Sequence, residues 1–271
     1  MNLRDTICAG WWFYQTALLG VMQIAFQPLK IQSLKDACVS RLEQLILSGE
    51  LKIGEQLPSE RDFALRLGVS RPVLHAALVD LDSKGLVQIV PRRGVFVSDF
   101  RRSGSLAMLG SLLGYHDGSL DPGFTHSLIA MRLLVESETA CLAALNRTDQ
   151  QMKEFYSLLD EETRAACSDP QTLTGLDFSF HLSIAVASGN LVYPLIINSF
   201  QGVYTHLTGV FFNRYCGTEV AEAVRRFHVQ LVEAIEQREA GSAVSIMTAM
   251  LNHGAEYLEK QPAPGDASPA I

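Results

Sequence analysis

Cysteine is scarce and unpatterned in this chain. The five cysteines (Cys8, Cys38, Cys141, Cys167 and Cys216) are odd in number and form no CxxC pair. That argues against a disulfide framework or a zinc knuckle and for a reducing, cytoplasmic setting. A nucleophile elbow, a P-loop and a Rossmann glycine pattern are also missing, which removes the commonest enzyme signatures. No internal repeat or long low-complexity run is visible. One stretch lacks charge altogether: Cys8 to Phe26 holds no Asp, Glu, Lys or Arg and is rich in Trp, Phe, Leu and Val. By length it could nearly span a bilayer. It makes a poor signal peptide, because Asp5 cancels Arg4 and no small-residue cleavage site follows. The expectation is a start at Met22 with no membrane partner, a membrane anchor being the lesser alternative.

What is present is an ordinary globular balance. The chain has 271 residues, 48% of them hydrophobic and 19% charged, enough for two domains with real cores. The net charge is -7, yet it is unevenly distributed. From Ile31 to Arg102 there are 11 Lys/Arg and 9 Asp/Glu; from Ser103 to Ile271 there are 9 Lys/Arg and 19 Asp/Glu. The acidity belongs to the second part, which would repel phosphate, so any nucleic-acid contact must lie in the first.

The first part reads as three helices and a hairpin. Leu34, Val39, Leu42, Leu45 and Ile46 form a helical stripe within Ser33 to Ser48, stopped by Gly49. Ser59 can cap a second helix with Asp62 three residues on, ending at Gly68. Ser70 can cap a third, with Pro72 in its first turn and Gly85 at its end. Leu86 to Val90 and Val95 to Val97 are β-rich and flank Pro91-Arg92-Arg93-Gly94. That order is the layout of a winged helix-turn-helix. In the third helix Leu74, Ala77, Leu78 and Leu81 would bury one face, leaving Arg71 and His75 to point outward one turn apart. Arg71 stands in the first turn, where a recognition helix meets bases or phosphate. Arg92 and Arg93 stand at the hairpin tip beside Gly94, which can take the positive φ a tight turn needs. On composition alone, a surface helix pair with ordinary solvated arginines accounts for these residues slightly better.

The run Leu57-Pro58-Ser59-Glu60-Arg61-Asp62, Leu67-Gly68-Val69-Ser70-Arg71, Ala77-Leu78, Gly85-Leu86-Val87 and Arg93-Gly94-Val95-Phe96-Val97 resembles the winged helix of the GntR family, over about Gln32 to Asp99. The resemblance implies that Arg61 and Arg71 contact phosphates and bases, and it places a third family arginine at His75, a shorter and mostly neutral side chain. Ser59, Ser70, Arg92, Arg93 and Gly94 complete the DNA-facing set.

After a linker at Phe100 to Ser105 the rest reads helical. Met131, Leu134 and Val135 lead to Leu142, then Phe180, Ile184 and Val186, then Leu231, Ile235 and Leu251. Asp177 and His181 share one face at i, i+4, and His228 follows on a later helix; two histidines and a carboxylate can bind a metal. From spacing alone, a polar surface pair and an unrelated histidine account for them better. Arg132 and Glu136, Asp177 to His181, Ser188-Gly189-Asn190, His228, Ala243 and Met247 resemble the FCD effector domain of the FadR subfamily, over about Leu120 to Leu258. The resemblance implies an antiparallel helical bundle with a central cavity. It implies a divalent metal (Zn²⁺, Mn²⁺ or Ni²⁺) on Asp177, His181 and His228, with a carboxylate effector completing the shell beside Arg132. The fourth ligand position falls on Met250, a poor ligand for Zn²⁺ or Mn²⁺, with His253 a turn further on as a substitute. Asn190, Tyr193, Tyr204 and the Phe211-Phe212 pair also resemble the subfamily's acyl-CoA regulator, which uses no metal.

The expected architecture is therefore mainly α: an extension over 1–30, a winged helix-turn-helix over 31–99, a connection over 100–119, a helical effector and dimerisation domain over 120–260, and a disordered tail over 261–271. The expected function is a cytoplasmic, homodimeric transcription regulator, a repressor in the first instance, on a palindromic double-stranded operator. Its effector is a small organic acid or, in the alternative, an acyl-CoA. A metal-dependent enzyme is the remaining alternative, since two histidines and a carboxylate also serve non-haem iron oxygenases; those favour β-barrel scaffolds, and no strands are visible in the second part.

Overall fold

The computed structural model describes residues 33–115, 122–165 and 169–259. The uncharged stretch Cys8 to Phe26 and the tail from Gln261 lie outside the described residues. Among those described, no helix is long and apolar enough to cross a membrane.

The chain begins with α1 (Leu34–Leu47), α2 (Glu60–Leu67) and α3 (Arg71–Ser83), followed by the antiparallel hairpin of β1 (Val87–Val90) and β2 (Gly94–Val97). Local chemistry sets these boundaries. Ser33 and Ser59 accept hydrogen bonds from the backbone N–H of Asp36 and Asp62 and so cap α1 and α2. Gly68, at φ +68°, closes α2 in the left-handed region. Ser70 stands at the N-cap of α3 but its side chain makes no capping bond, so the expected cap is positional only, and Pro72 presets the first turn instead. In the hairpin Val87 pairs with Val97 and Val90 with Gly94. Leu57 N–H also donates to Val95 at 2.8 Å, adding a short third edge. Leu42, Leu74, Leu78, Leu81 and Leu86 are almost wholly buried between the three helices and the wing. Leu34 departs from its expected stripe and is 65% exposed; it sits at the first position of α1.

The stretch expected to be a loose linker is not loose. Phe100–Ser103 forms a one-turn helix, α4, capped by Asp99, and Ser103 Oγ donates to the Gly85 carbonyl at 2.9 Å. Gly85 is at φ +76°, and a Cβ there would lie 2.0 Å from the Ser103 carbonyl oxygen, so this join requires glycine. Helix α5 (Met108–Tyr115) then straddles the molecule. Met108 is buried in the core of the first domain, while Leu109 packs with Leu128, Val203 and Leu207 of the second. Ser111 Oγ donates to the buried Glu43 carboxylate at 2.5 Å, and Lys84 Nζ donates to the same oxygen at 2.8 Å.

The second domain is helical throughout its described residues: α6 (Pro122–Asn146), α7 (Asp149–Ala165), α8 (Pro170–Ala187), α9 (Tyr193–Ser199), α10 (Gln201–Tyr215), α11 (Glu219–Glu236) and α12 (Ala240–Glu259). The long α6 lies along α12 and α8, α8 packs on α7 and α10, and α11 lies against α12 and α7. Phe155, Ile184, Leu231, Ile235 and Met247 are completely or almost completely buried at its centre. The core includes Phe180, Leu251 and Ala143, but Leu134 and Val186 are 75% and 49% exposed. These two sit on the outward faces of α6 and α8, because each helix turns a polar row inward: Glu136 and Thr139 on α6, Asp177 and His181 on α8 are all buried. That inward polar row is the site.

Candidate functional site

The first candidate surface is the exposed side of α2, α3 and the wing. Arg61, Arg71 and His75 are all exposed there, as are Arg92 and Arg93 at the hairpin tip. Glu60, in the first turn of α2, reaches across to α3: one carboxylate oxygen meets His75 Nδ1 at 3.0 Å and the other takes Arg71 Nε at 3.4 Å. The hydrogen bond from His75, with a smaller contribution from Arg71, holds the Glu60 carboxyl below its ordinary range against some loss of hydration. Sequence reasoning did not single out Glu60, although the Glu-Arg pair at Glu60-Arg61 follows directly from the Ser59 cap. At the wing tip Gly94 is at φ +113° and Arg92 at φ +64°, an uncommon conformation for a side-chain-bearing residue. The Arg93 carbonyl accepts from Gln56 Nε2 at 2.7 Å, which fixes the turn from outside the hairpin. The Arg93 guanidinium lies 5.8 Å from the centre of the Phe96 ring. Ser59 is committed to its cap, with Oγ also donating to Asp62 at 2.7 Å.

The second candidate surface lies inside the helical domain. Asp177, His181 and His228 are buried, and one ligand atom from each falls within 4.8 Å of the others. Each histidine is oriented from behind by a carboxylate. His228 Nδ1 meets both Glu162 oxygens at 3.0 Å, and His181 Nδ1 contacts Glu136. The ring nitrogens left over are both Nε2. His228 Nε2 has no hydrogen-bond partner among the described residues and lies 3.5 Å from Asp177 Oδ1. The other Asp177 oxygen accepts from the Tyr204 hydroxyl at 2.9 Å. Arg132 Nε donates to Glu136 at 2.6 Å, and its guanidinium stacks 4.0 Å from the centre of the Tyr204 ring.

The electrostatics follow from burial and charge in competition. Burial alone would neutralise His228, but Glu162 and Asp177 outweigh it and carry the imidazole up to about 9. Burial likewise opposes the Asp177 charge, yet His228, His181 and Arg132 hold its carboxyl down to about 2. Glu136 is kept at about 2 against burial by Arg132 and His181. The Arg132 guanidinium is held charged against its burial, chiefly by Glu136, and the Tyr204 phenol is pushed well above its ordinary range by burial. The result is a charged cluster in an apolar interior, in which neither His228 Nε2 nor His181 Nδ1, the latter in ion-pair contact with Glu136, has a hydrogen-bond partner among the described residues. Two imidazoles and a carboxylate form a three-ligand set suited to a borderline divalent cation, so the donors fit such an ion.

Arg132, Asp177 and His181 open onto one cavity. Met250, at the expected fourth ligand position, lines the same cavity and is 4% exposed. Two residues expected at the effector site stand elsewhere. Asn190 is exposed, and its side-chain oxygen accepts from Val192 N–H at 2.8 Å to shape the turn before α9. His253 Nε2 meets the Val220 carbonyl at 2.9 Å, and its ring packs among Phe211, Phe227 and Tyr257; it tethers α12 to α11 and does not line the cavity. Tyr204 acts beneath the cavity wall through Arg132 and Asp177. Glu162 was missed by sequence reasoning inside the acidic run Asp160-Glu161-Glu162. Its signal was its register: it is seven residues beyond the fully buried Phe155, on the inward face of α7.

Residues 34–97 match the bacterial regulatory proteins of the gntR family, and residues 127–253 match the FCD domain. The chain is 34% identical over 185 residues to the HTH-type transcriptional regulator Mce2R of Mycobacterium tuberculosis, covering 67% of this chain and 74% of that protein. It is 28% identical to the HTH-type transcriptional repressor NanR of Cronobacter sakazakii, covering 83% of this chain and 85% of that one. In fold it is similar to the solved structure of Lar, which controls the expression of the Listeria monocytogenes agr system, at a TM-score of 0.59 and 19% identity over 84% of this chain and 98% of that chain. With a winged helix that matches the gntR model and a helical domain that matches the FCD model, the chain belongs to the GntR family: it is a ligand-responsive, DNA-binding transcriptional regulator and not an enzyme.

Proposed function

We propose that this regulator binds a palindromic operator as a homodimer and that a small carboxylate, seated in the cavity beside a divalent cation, sets its affinity for DNA. The observation that carries the proposal is the convergence of Asp177, His181 and His228, two of which, Asp177 and His181, line the cavity together with Arg132. Bound there, a divalent cation would supply a Lewis-acidic coordination position for a carboxylate oxygen. The chain's own residues do the rest. Glu162 holds Nδ1 of His228 and leaves its Nε2 without a partner, and Glu136 contacts Nδ1 of His181. Arg132, locked between Glu136 and the Tyr204 ring, offers a fixed positive charge, which spares an effector carboxylate the cost of unpaired burial. Without a cation the cluster is unfavourable for an anion, because Asp177 faces the same cavity with its charge retained. Helix α10, which carries cavity residues Leu207 and Phe211, also meets α5; effector seating there would bias the placement of the DNA-binding domains within an existing equilibrium.

On DNA, Arg71 at the start of α3 is assigned to base edges or phosphate in the major groove, with Arg61 beside it and Arg92 and Arg93 on the wing. The repressor reading fits NanR among the relatives. Elemental analysis of protein purified without chelator or metal-affinity resin tests the cation. The wild type should carry near-stoichiometric divalent metal, and the double variant His181→Ala with His228→Ala should carry none. A wild type without metal, whose melting temperature ignores added Zn²⁺, Mn²⁺ and Ni²⁺, would sink the reading. Footprinting tests the dimer: protection of a single asymmetric half-site by a monomer would count against it.

A further inference from the structure

We infer that the effector is an apolar monocarboxylate, a medium-chain or aryl-substituted alkanoic acid, and not a hydroxy acid. The inference rests on the carboxylate reading above and concerns the part of the ligand that the polar cluster does not hold. The polar side chains of the lining, Arg132, Asp177, His181 and Thr208, gather around Tyr204. Most of these are already committed. Asp177 accepts from Tyr204, Arg132 Nε donates to Glu136, and the Thr208 hydroxyl donates to the Tyr204 carbonyl at 3.1 Å. Beyond them the wall is hydrocarbon, including Leu207, Phe211, Phe212, Val224, Met250 and Leu258. A ligand hydroxyl lying against that wall would lose its water and find no partner. Each such group should weaken binding about tenfold or more. A methylene in the same place would gain about fourfold.

Met250 deepens this asymmetry. A histidine there would add a polar group to the lining; the thioether instead extends the hydrocarbon wall. The room for a chain is provided by α12, where Gly254 and Ala255 line the cavity and a Cβ built on Gly254 meets nothing within 4 Å. The cavity lining is thus amphipathic, with charged groups at Arg132, Asp177 and His181 and a hydrocarbon wall for a chain or ring.

Calorimetric titration of the full-length, metal-bearing protein tests this with acetate, butyrate, hexanoate, octanoate and phenylacetate, against lactate and glycolate. Affinity should rise about fourfold per methylene from butyrate to octanoate, and lactate should bind more weakly than unsubstituted acids of comparable size. Gly254→Leu, which fills the room beside α12 and favours helix, should flatten the series. A flat series in the wild type, or lactate tighter than butyrate, overturns the inference but leaves the carboxylate reading standing. Octanoyl-CoA, which has no free carboxylate, should bind less tightly than octanoate; the reverse order overturns both. Failure of every acid to bind metal-bearing protein also overturns both.

Discussion

Raising the pH should destabilise the metal-free protein through His228. The imidazole is raised to about 9 in the fold, whereas an exposed one has an ordinary value of 6.5. The folded value lies above the unfolded one, so the charged imidazole stabilises the fold fully below about pH 6.5, and this contribution is lost as pH rises through about 9. A displacement of that size corresponds to about 3 kcal/mol between the two protonation states. For a chain of this length that is a fall of roughly 6–12 °C in melting temperature. Thermal unfolding followed by circular dichroism in EDTA, at intervals from pH 6 to 10, measures it. Glu162→Gln provides the control, because the Glu162 charge is the largest influence raising the imidazole and glutamine keeps the volume. The variant should be less stable at pH 6 and should show a much flatter profile between 6.5 and 9. Divalent metal should reverse the wild-type slope, since a cation on Nε2 displaces a proton and binds better at higher pH. Identical slopes in EDTA for the wild type and Glu162→Gln would refute the reasoning.

The DNA face and the packing give further tests. Arg71→Ala should weaken operator binding by about 1–3 kcal/mol in gel-shift titrations, and unchanged affinity would mean that α3 is not the recognition helix. Arg93→Ala should lower affinity evenly across sequences and reduce the salt dependence, read at two salt concentrations. Gly85→Ala should cost at least about 2 kcal/mol in chemical unfolding, because its Cβ would meet the Ser103 carbonyl at a left-handed φ; a neutral result would mean that α4 does not dock there. Phe155→Ala, at a fully buried position, should cost about 3–5 kcal/mol by the same measure.

The elements most legible in the sequence were those whose signals are local. Ser59 with Asp62, Gly68 and Gly85 each act on their own backbone, so the boundaries of α2 and α3 could be read from a few residues. The apolar stripe of α3 was equally readable, since Leu74, Ala77, Leu78 and Leu81 are all buried. Apolar periodicity misled at Leu134 and Val186, because α6 and α8 turn charged residues inward and so reverse the usual inference from polarity to exposure. Asp177, His181 and His228 were found through resemblance, as their spacing alone favoured a dull explanation. Glu162 was hidden because a buried acid next to Asp160 and Glu161 looks like more of the same solvated run; only its partner, sixty-six positions away, distinguishes it. Asn190 and His253 were expected at the ligand but are used by neighbouring backbone, a local bond that no spacing rule reveals. The stretch after Asp99 looked like a flexible join because its composition is that of one, yet Gly85 allows it to lie flat against the first domain.

Helix α5 has a consequence for any attempt to take the protein apart. Neighbouring residues of one turn are owned by different domains: Met108 fills the first core and Leu109 the second. Severing the chain before α5 would leave the DNA-binding half with an open hole where Met108 belongs and a Glu43 carboxylate stripped of Ser111. Severing it after α5 would uncover Leu128, Val203 and Leu207 on the other half. Recombining the two halves with those of relatives is therefore a question of which α5 travels with them. A hybrid regulator that keeps α5 with its own Glu43 and Lys84 must also supply matching apolar partners at Leu128, Val203 and Leu207. Grafts that ignore this pairing exchange two sound domains for one poorly sealed seam.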